Sequence, residues 1–162
     1  MVIDELAKKY NIEVIKEDFK GLIGKGEISG EKVLLVKPLT YMNLSGECVT
    51  QILNFYKLEP SDLIVIYDDI DISLGKIKIR PSGSSGTHNG MRNIISLIKS
   101  EKFTRVRVGT DKPSGNINLA DYVLMQLNTE EKDKLNNAVI YACDAVAELI
   151  KNGCQSAMNL YN

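Results

Sequence analysis

His88, the single histidine of the chain, lies in Pro81-Ser82-Gly83-Ser84-Ser85-Gly86-Thr87-His88-Asn89-Gly90, which leads straight into a helical pattern. Three glycines let backbone approach a ligand, the following helix offers unpaired N–H groups, and His88 and Asn89 add polar handles at that mouth. As an imidazole, His88 is a candidate base, a substrate contact or a partner for nearby backbone; a glycine-rich loop is a poor platform for the first role. Asp68-Asp69-Ile70-Asp71 follows an apolar run directly, so Asp68 should sit at a strand end, where its carboxylate can orient an imidazole and stabilise its protonated form. The same acids are a thin ligand set for a divalent metal or a solvated turn. In Tyr41-Met42-Asn43-Leu44-Ser45-Gly46, Asn43 offers a donor and an acceptor beside an aromatic ring and a thioether, a combination suited to gripping an ester or amide; the same residues also read as an ordinary first helical turn.

The elements that must position these groups follow from periodicity. Val2, Ile3, Leu6, Ala7 and Tyr10 share one helical face, predicting an amphipathic helix that ends near Asn11. Leu22 to Ile28 and Lys32 to Lys37 read as strands joined by a turn at Ser29-Gly30-Glu31. Ser45 is the expected N-cap of a helix to about Leu58, with Val49, Ile52, Leu53 and Tyr56 inward. Leu63 to Tyr67 reads as a buried central strand, and Gly75 to Arg80 and Thr104 to Gly109 as two basic strands flanking a helix that carries Met91, Ile94, Ile95 and Ile98. A loop and short helix are expected over residues 113–128, around Leu119 to Leu127. Thr129 is expected to cap a long helix through Ile150, closed by Gly153. Strands alternating with helices predict one α/β domain, a three-layer sandwich with a mixed, mostly parallel twisted sheet and helices on both faces. The three motifs then stand at strand ends, where open α/β sheets place their ligand crevice.

Composition narrows the function. At 162 residues with 44% hydrophobic and 25% charged residues, the chain suits one globular domain, and no apolar run reaches membrane-spanning length. Cys48, Cys143 and Cys154 have no Cys-x-x-Cys spacing, which argues against a metal site and for a reducing cytosol. The net charge of −1 conceals an asymmetry: residues 75–112 hold nine basic and two acidic residues, a net of +7, leaving −8 elsewhere. Such an excess fits a surface for a polyanion, and Lys76, Lys78, Arg80 and the pair Arg105, Arg107 recur every second residue, as one strand face requires.

At these residues the chain resembles the bacterial peptidyl-tRNA hydrolases. The resemblance runs through Pro38-Leu39-Thr40-Tyr41-Met42-Asn43-Leu44-Ser45-Gly46, Tyr67-Asp68-Asp69-Ile70-Asp71, Gly86-Thr87-His88-Asn89-Gly90 and Arg105-Val106-Arg107-Val108-Gly109, in order and spacing. It implies a cytoplasmic, monomeric enzyme that hydrolyses the ester between a peptide and the 3′ end of tRNA, recycling tRNA for translation, with no metal, organic cofactor, membrane or obligate protein partner. It implies Asp68 as the carboxylate that polarises a catalytic histidine, with Asn43 and Asn89 holding the ester and the attacking water. Tyr41, Met42 and His88 would line the cleft, and Lys78, Arg80 and Arg107 would clamp tRNA phosphate. The resemblance further carries the expectation that this chain is N-terminally truncated, lacking a first strand and the segment with the general-base histidine, which would leave strand edges unpaired and the enzyme impaired. A catalytically inactive RNA-binding protein on the same fold and a metal-dependent hydrolase using Asp68, Asp69 and Asp71 are the alternatives.

Overall fold

The computed structural model describes residues 1–41, 44–112 and 127–162, which fold into two three-stranded sheets and five α-helices. The first helix, α1 (Val2–Lys9), buries Val2 and Leu6 and carries acids in its first turn and lysines in its last, as the helix dipole favours. Next come β1 (Lys16–Asp18), β2 (Gly21–Ile28) and β3 (Glu31–Pro38), a meander in which β2 pairs antiparallel with both neighbours. Its turns are Phe19-Lys20 and Ser29-Gly30, all four residues at positive φ, the conformation whose twist suits a two-residue hairpin. Phe-Lys carries no glycine or asparagine to announce such a turn, which is why β1 escaped the sequence reading.

Helix α2 (Ser45–Tyr56) lays Cys48 and Ile52 on Ile23 of β2. A short 3₁₀ turn, Pro60–Asp62, leads into β4 (Ile64–Asp69), followed by β5 (Ile77–Arg80), α3 (Asn89–Ile98) and β6 (Thr104–Gly109). The second sheet has the order β4-β6-β5, with β4 parallel and β5 antiparallel to β6. Helices α4 (Thr129–Asn152) and α5 (Cys154–Tyr161) complete the described chain. The main core joins Leu6, Ile28, Leu35, Ile79, Val106 and the α4 residues Ala142 and Val146; a separate cluster joins Met91 and Ile94 of α3 to Phe103, with Val65 and Tyr67 against it.

Several expectations change. In place of one mostly parallel sheet there are two sheets, and of the four strand pairings among the described residues only β4 with β6 is parallel. Short turns oblige β1, β2 and β3 to pair antiparallel. Among the described residues β4 lies at the end of its sheet, half-buried at every residue, where its unbroken apolar run predicted a buried central strand. Its outer edge and β3 line an apolar cavity of about 290 Å³ that also receives Val49, Met91 and Ile94. Leu44, not Ser45, occupies the N-cap of α2, and Asn128, not Thr129, caps α4. At the latter, Asn128 Oδ1 accepts from the Glu131 N–H at 2.9 Å while Glu131 Oε2 accepts from the Asn128 N–H at 2.8 Å. The short helix expected around Leu119 to Leu127 falls almost wholly on residues 113–126, outside the described residues.

Candidate active site

β4 delivers Asp68 and Asp69 at its C-terminal end, side by side but facing opposite ways, as strand alternation demands. Asp69 Oδ2 accepts from Arg107 Nε at 2.8 Å, and Asp69 Oδ1 accepts from the Asp71 N–H at 2.8 Å. Asp71 in turn pairs with Lys112 at 2.9 Å. Two of the three acids therefore already neutralise cations, which argues against a metal cluster of Asp68, Asp69 and Asp71; among the described residues no group of three candidate ligands assembles.

Asp68 faces His88. The separation of Asp68 Oδ1 from His88 Nε2 is 3.7 Å, too long for a strong direct hydrogen bond and short enough for strong electrostatic coupling. The imidazole beside it holds the Asp68 carboxyl below the ordinary carboxylate value, outweighing desolvation, so Asp68 is a carboxylate at neutral pH. Its side chain remains 38% exposed and can reach a substrate or water.

His88 is not carried on a loose loop. It is the N-cap of α3, where its Nδ1 accepts from the Met91 N–H at 3.1 Å, and its ring meets Tyr67 edge-on with centroids 4.9 Å apart. With the Nδ1 lone pair so occupied, the ring proton of the neutral imidazole sits on Nε2, aimed at Asp68. Nδ1 is thus engaged by backbone while Nε2 faces Asp68 across 3.7 Å, and of the roles open to His88 on sequence grounds the contact with nearby backbone is the one seen. Asn89 opens α3 beside it and is exposed.

The loop before His88 is tied down from below by Arg105. Its guanidinium, 2% exposed, donates to the carbonyls of Glu101 at 3.0 Å, Phe103 at 2.8 Å and Gly83, and lies over the Phe103 ring. The sequence reading counted Arg105 among surface cations; the structure buries it as a strut, and no one-dimensional signal separates it from Arg107 two residues on. The rest of the basic face is present: in the β5–β6 ladder Lys78 stands opposite Arg107 and Arg80 opposite Arg105, with Lys78 and Arg80 exposed. Tyr41 is 82% exposed just before α2. Met42 and Asn43 lie outside the described residues. Among the described residues no helix is long and apolar enough to cross a membrane.

What the fold and these residues define is a class: an α/β protein that sets an ionised carboxylate beside an imidazole at a strand end and carries a cationic face on its β5–β6 ladder. Comparison with known proteins then supplies the family. The peptidyl-tRNA hydrolase family model matches residues 1–162, and the chain belongs to that family. It is 51% identical over 162 residues to the peptidyl-tRNA hydrolase of Thermoanaerobacter sp. strain X514, covering 100% of this chain and 87% of that protein. It is 45% identical over 161 residues to that of Clostridium perfringens strain 13, covering 99% and 85%. The crystal structure of peptidyl-tRNA hydrolase from Acinetobacter baumannii superposes with a TM-score of 0.90 at 33% identity, covering 98% of this chain and 81% of that one. These matches give no support to the expectation of a missing N-terminal segment and catalytic histidine, or to the inactive alternative.

Proposed function

We propose that this chain hydrolyses the ester linking a peptide to the 3′ end of tRNA. Water adds to the ester carbonyl, the C–O bond to the terminal ribose breaks, and the ribose hydroxyl leaves with a proton while the peptide leaves as a carboxylic acid. The observation that carries the reading furthest is Asp68 at the end of β4, ionised and reachable, beside His88. A carboxylate whose pKa is depressed is a weak proton acceptor, so Asp68 orients and polarises the attacking water, whose proton passes to the departing ribose oxygen. His88, with its Nδ1 lone pair already accepting from Met91, holds Asp68 and the start of α3 in place. Asn89 and Tyr41, with Asn43 and Met42, hold the ester and the tRNA end in this reading. Lys78, Arg80 and Arg107 give a sequence-independent grip on phosphate, as an enzyme for every tRNA needs. The same reading has the protein work in the cytoplasm, as a monomer, without metal or organic cofactor.

The test is release of an N-acetyl-aminoacyl group from tRNA, measured beside tRNA affinity. Asp68→Asn should lose about 10²- to 10⁴-fold in turnover with affinity retained, whereas His88→Asn, which preserves an N-cap acceptor, should lose less than about tenfold. Unchanged turnover in Asp68→Asn removes Asp68 from the mechanism. Collapse of His88→Asn makes His88 the proton acceptor.

A further inference from the structure

Leu44 occupies the N-cap position of α2, and its hydrocarbon side chain accepts no hydrogen bond. An acceptor comes instead from another helix. The Gly46 N–H, in the first turn of α2, donates to Asn93 Oδ1 at 2.7 Å. Asn93 stands on α3, two residues beyond the Met91 whose N–H His88 caps. The two helices approach so closely here that a Cβ on Gly46 would lie 2.7 Å from both Asn93 O and Asn93 Oδ1 and 2.9 Å from the Asn93 carbonyl carbon. Two of those three atoms are backbone, so only glycine fits without parting the helices.

Each helix starts at the end of a segment that chemistry singles out. Tyr41 and Leu44 immediately precede α2, joined by a bond from the Leu44 N–H to Tyr41 O at 2.8 Å. Gly86, Thr87 and His88 immediately precede α3. We propose that Asn93 is a positioning residue: its carboxamide, through the Gly46 N–H, sets the spacing between the first turn of α2, which Leu44 precedes, and the first turn of α3, which His88 and Asn89 open, and so between the two walls that grip the acyl end of the substrate. The inference rests on the esterase reading and adds to it a residue that touches no substrate.

The experiment compares wild type with Asn93→Asp, which keeps an acceptor at the same place, Asn93→Ala, which removes it, and Asn93→Gln, which lengthens the side chain by one methylene. Asn93→Ala should lower kcat about tenfold, and Asn93→Gln less, while the Kd for uncharged tRNA stays within about twofold, because the basic strands are untouched. Asn93→Asp should stay within about twofold of wild type in both. Amide hydrogen exchange at Gly46 should be protected in wild type and Asn93→Asp and faster in Asn93→Ala. Wild-type kcat in an Asn93→Ala protein whose Gly46 amide exchanges faster reduces Asn93 to a structural cap and overturns the inference, as does an Asn93→Asp loss equal to that of Asn93→Ala. Should wild type release no acyl group, the esterase reading fails. The inference is then read from the Kd of tRNA carrying an N-acetyl-aminoacyl group through an amide: tenfold weaker binding by Asn93→Ala supports it, equal binding overturns it.

Discussion

At Asp68 the imidazole of His88 outweighs desolvation and keeps the folded-state pKa below the ordinary value of 3.8. A depressed carboxylate contributes stability that is fully present above that value and is lost as the pH falls through the folded pKa. The stability difference between wild type and Asp68→Asn, measured by urea denaturation, should therefore hold steady above about pH 5 and shrink as the pH falls below 3.8. A difference that is constant down to about pH 2.5 would mean that the imidazole does not act on this carboxylate. His88 itself serves as a cap, so His88→Ala should cost about 1 kcal/mol and His88→Asn should restore most of it. Asp68 was legible in the sequence because an apolar strand run ending in an acid puts that acid at the strand mouth. The capping bond at His88 Nδ1 and the approach of Nε2 to Asp68 were not, since they depend on where α3 and β4 meet.

The basic strands show what an element can hide. Alternation placed Lys78 and Arg80 on one face of their strand and Arg105 and Arg107 on one face of theirs, and the β5–β6 register joins the two sets, with Ile77, Ile79, Val106 and Val108 buried on the other side. Period-2 patterning specifies a face; it does not say what covers that face. Phe103 and the loop through Gly83 cover Arg105 and leave Lys78 open. Arg105→Met should consequently destabilise the protein by about 3 kcal/mol in urea denaturation, because charge-assisted bonds to three carbonyls vanish, while tRNA affinity per folded molecule changes little. A cost under about 0.5 kcal/mol would return Arg105 to the surface set. Cap positions erred by one residue at α2 and α4 for a related reason: several polar residues near a helix start can act, and backbone geometry selects among them. Asn162 adds an unforeseen long-range device: its carboxamide accepts from the Ile79 N–H at 2.6 Å and donates to Ile79 O at 3.1 Å, occupying the outer edge of β5 as a neighbouring strand would.

Across the whole molecule, a net charge near zero coexists with +7 concentrated in residues 75–112, so tRNA binding should weaken steeply with salt. Lys78→Ala, at an exposed site, should reduce the log–log salt slope by about one with stability unchanged. Arg107→Ala should reduce it similarly and also destabilise by about 1–3 kcal/mol, because Asp69, 12% exposed, loses the partner held at 2.8 Å. Binding by both variants that matches wild type at every salt concentration would take these residues out of the tRNA surface. The sequence by itself determined the local periods, the helix and strand types, the placing of motifs at strand ends and the segregation of charge, because these depend on neighbours a few residues apart. Only the tertiary structure decided that β4 ends its sheet among the described residues, that Arg105 is a strut, that His88 is a cap facing Asp68 and that Asn93 caps a different helix. Each of those outcomes depends on which distant segments meet, and partners remote in sequence leave no periodic trace along the chain.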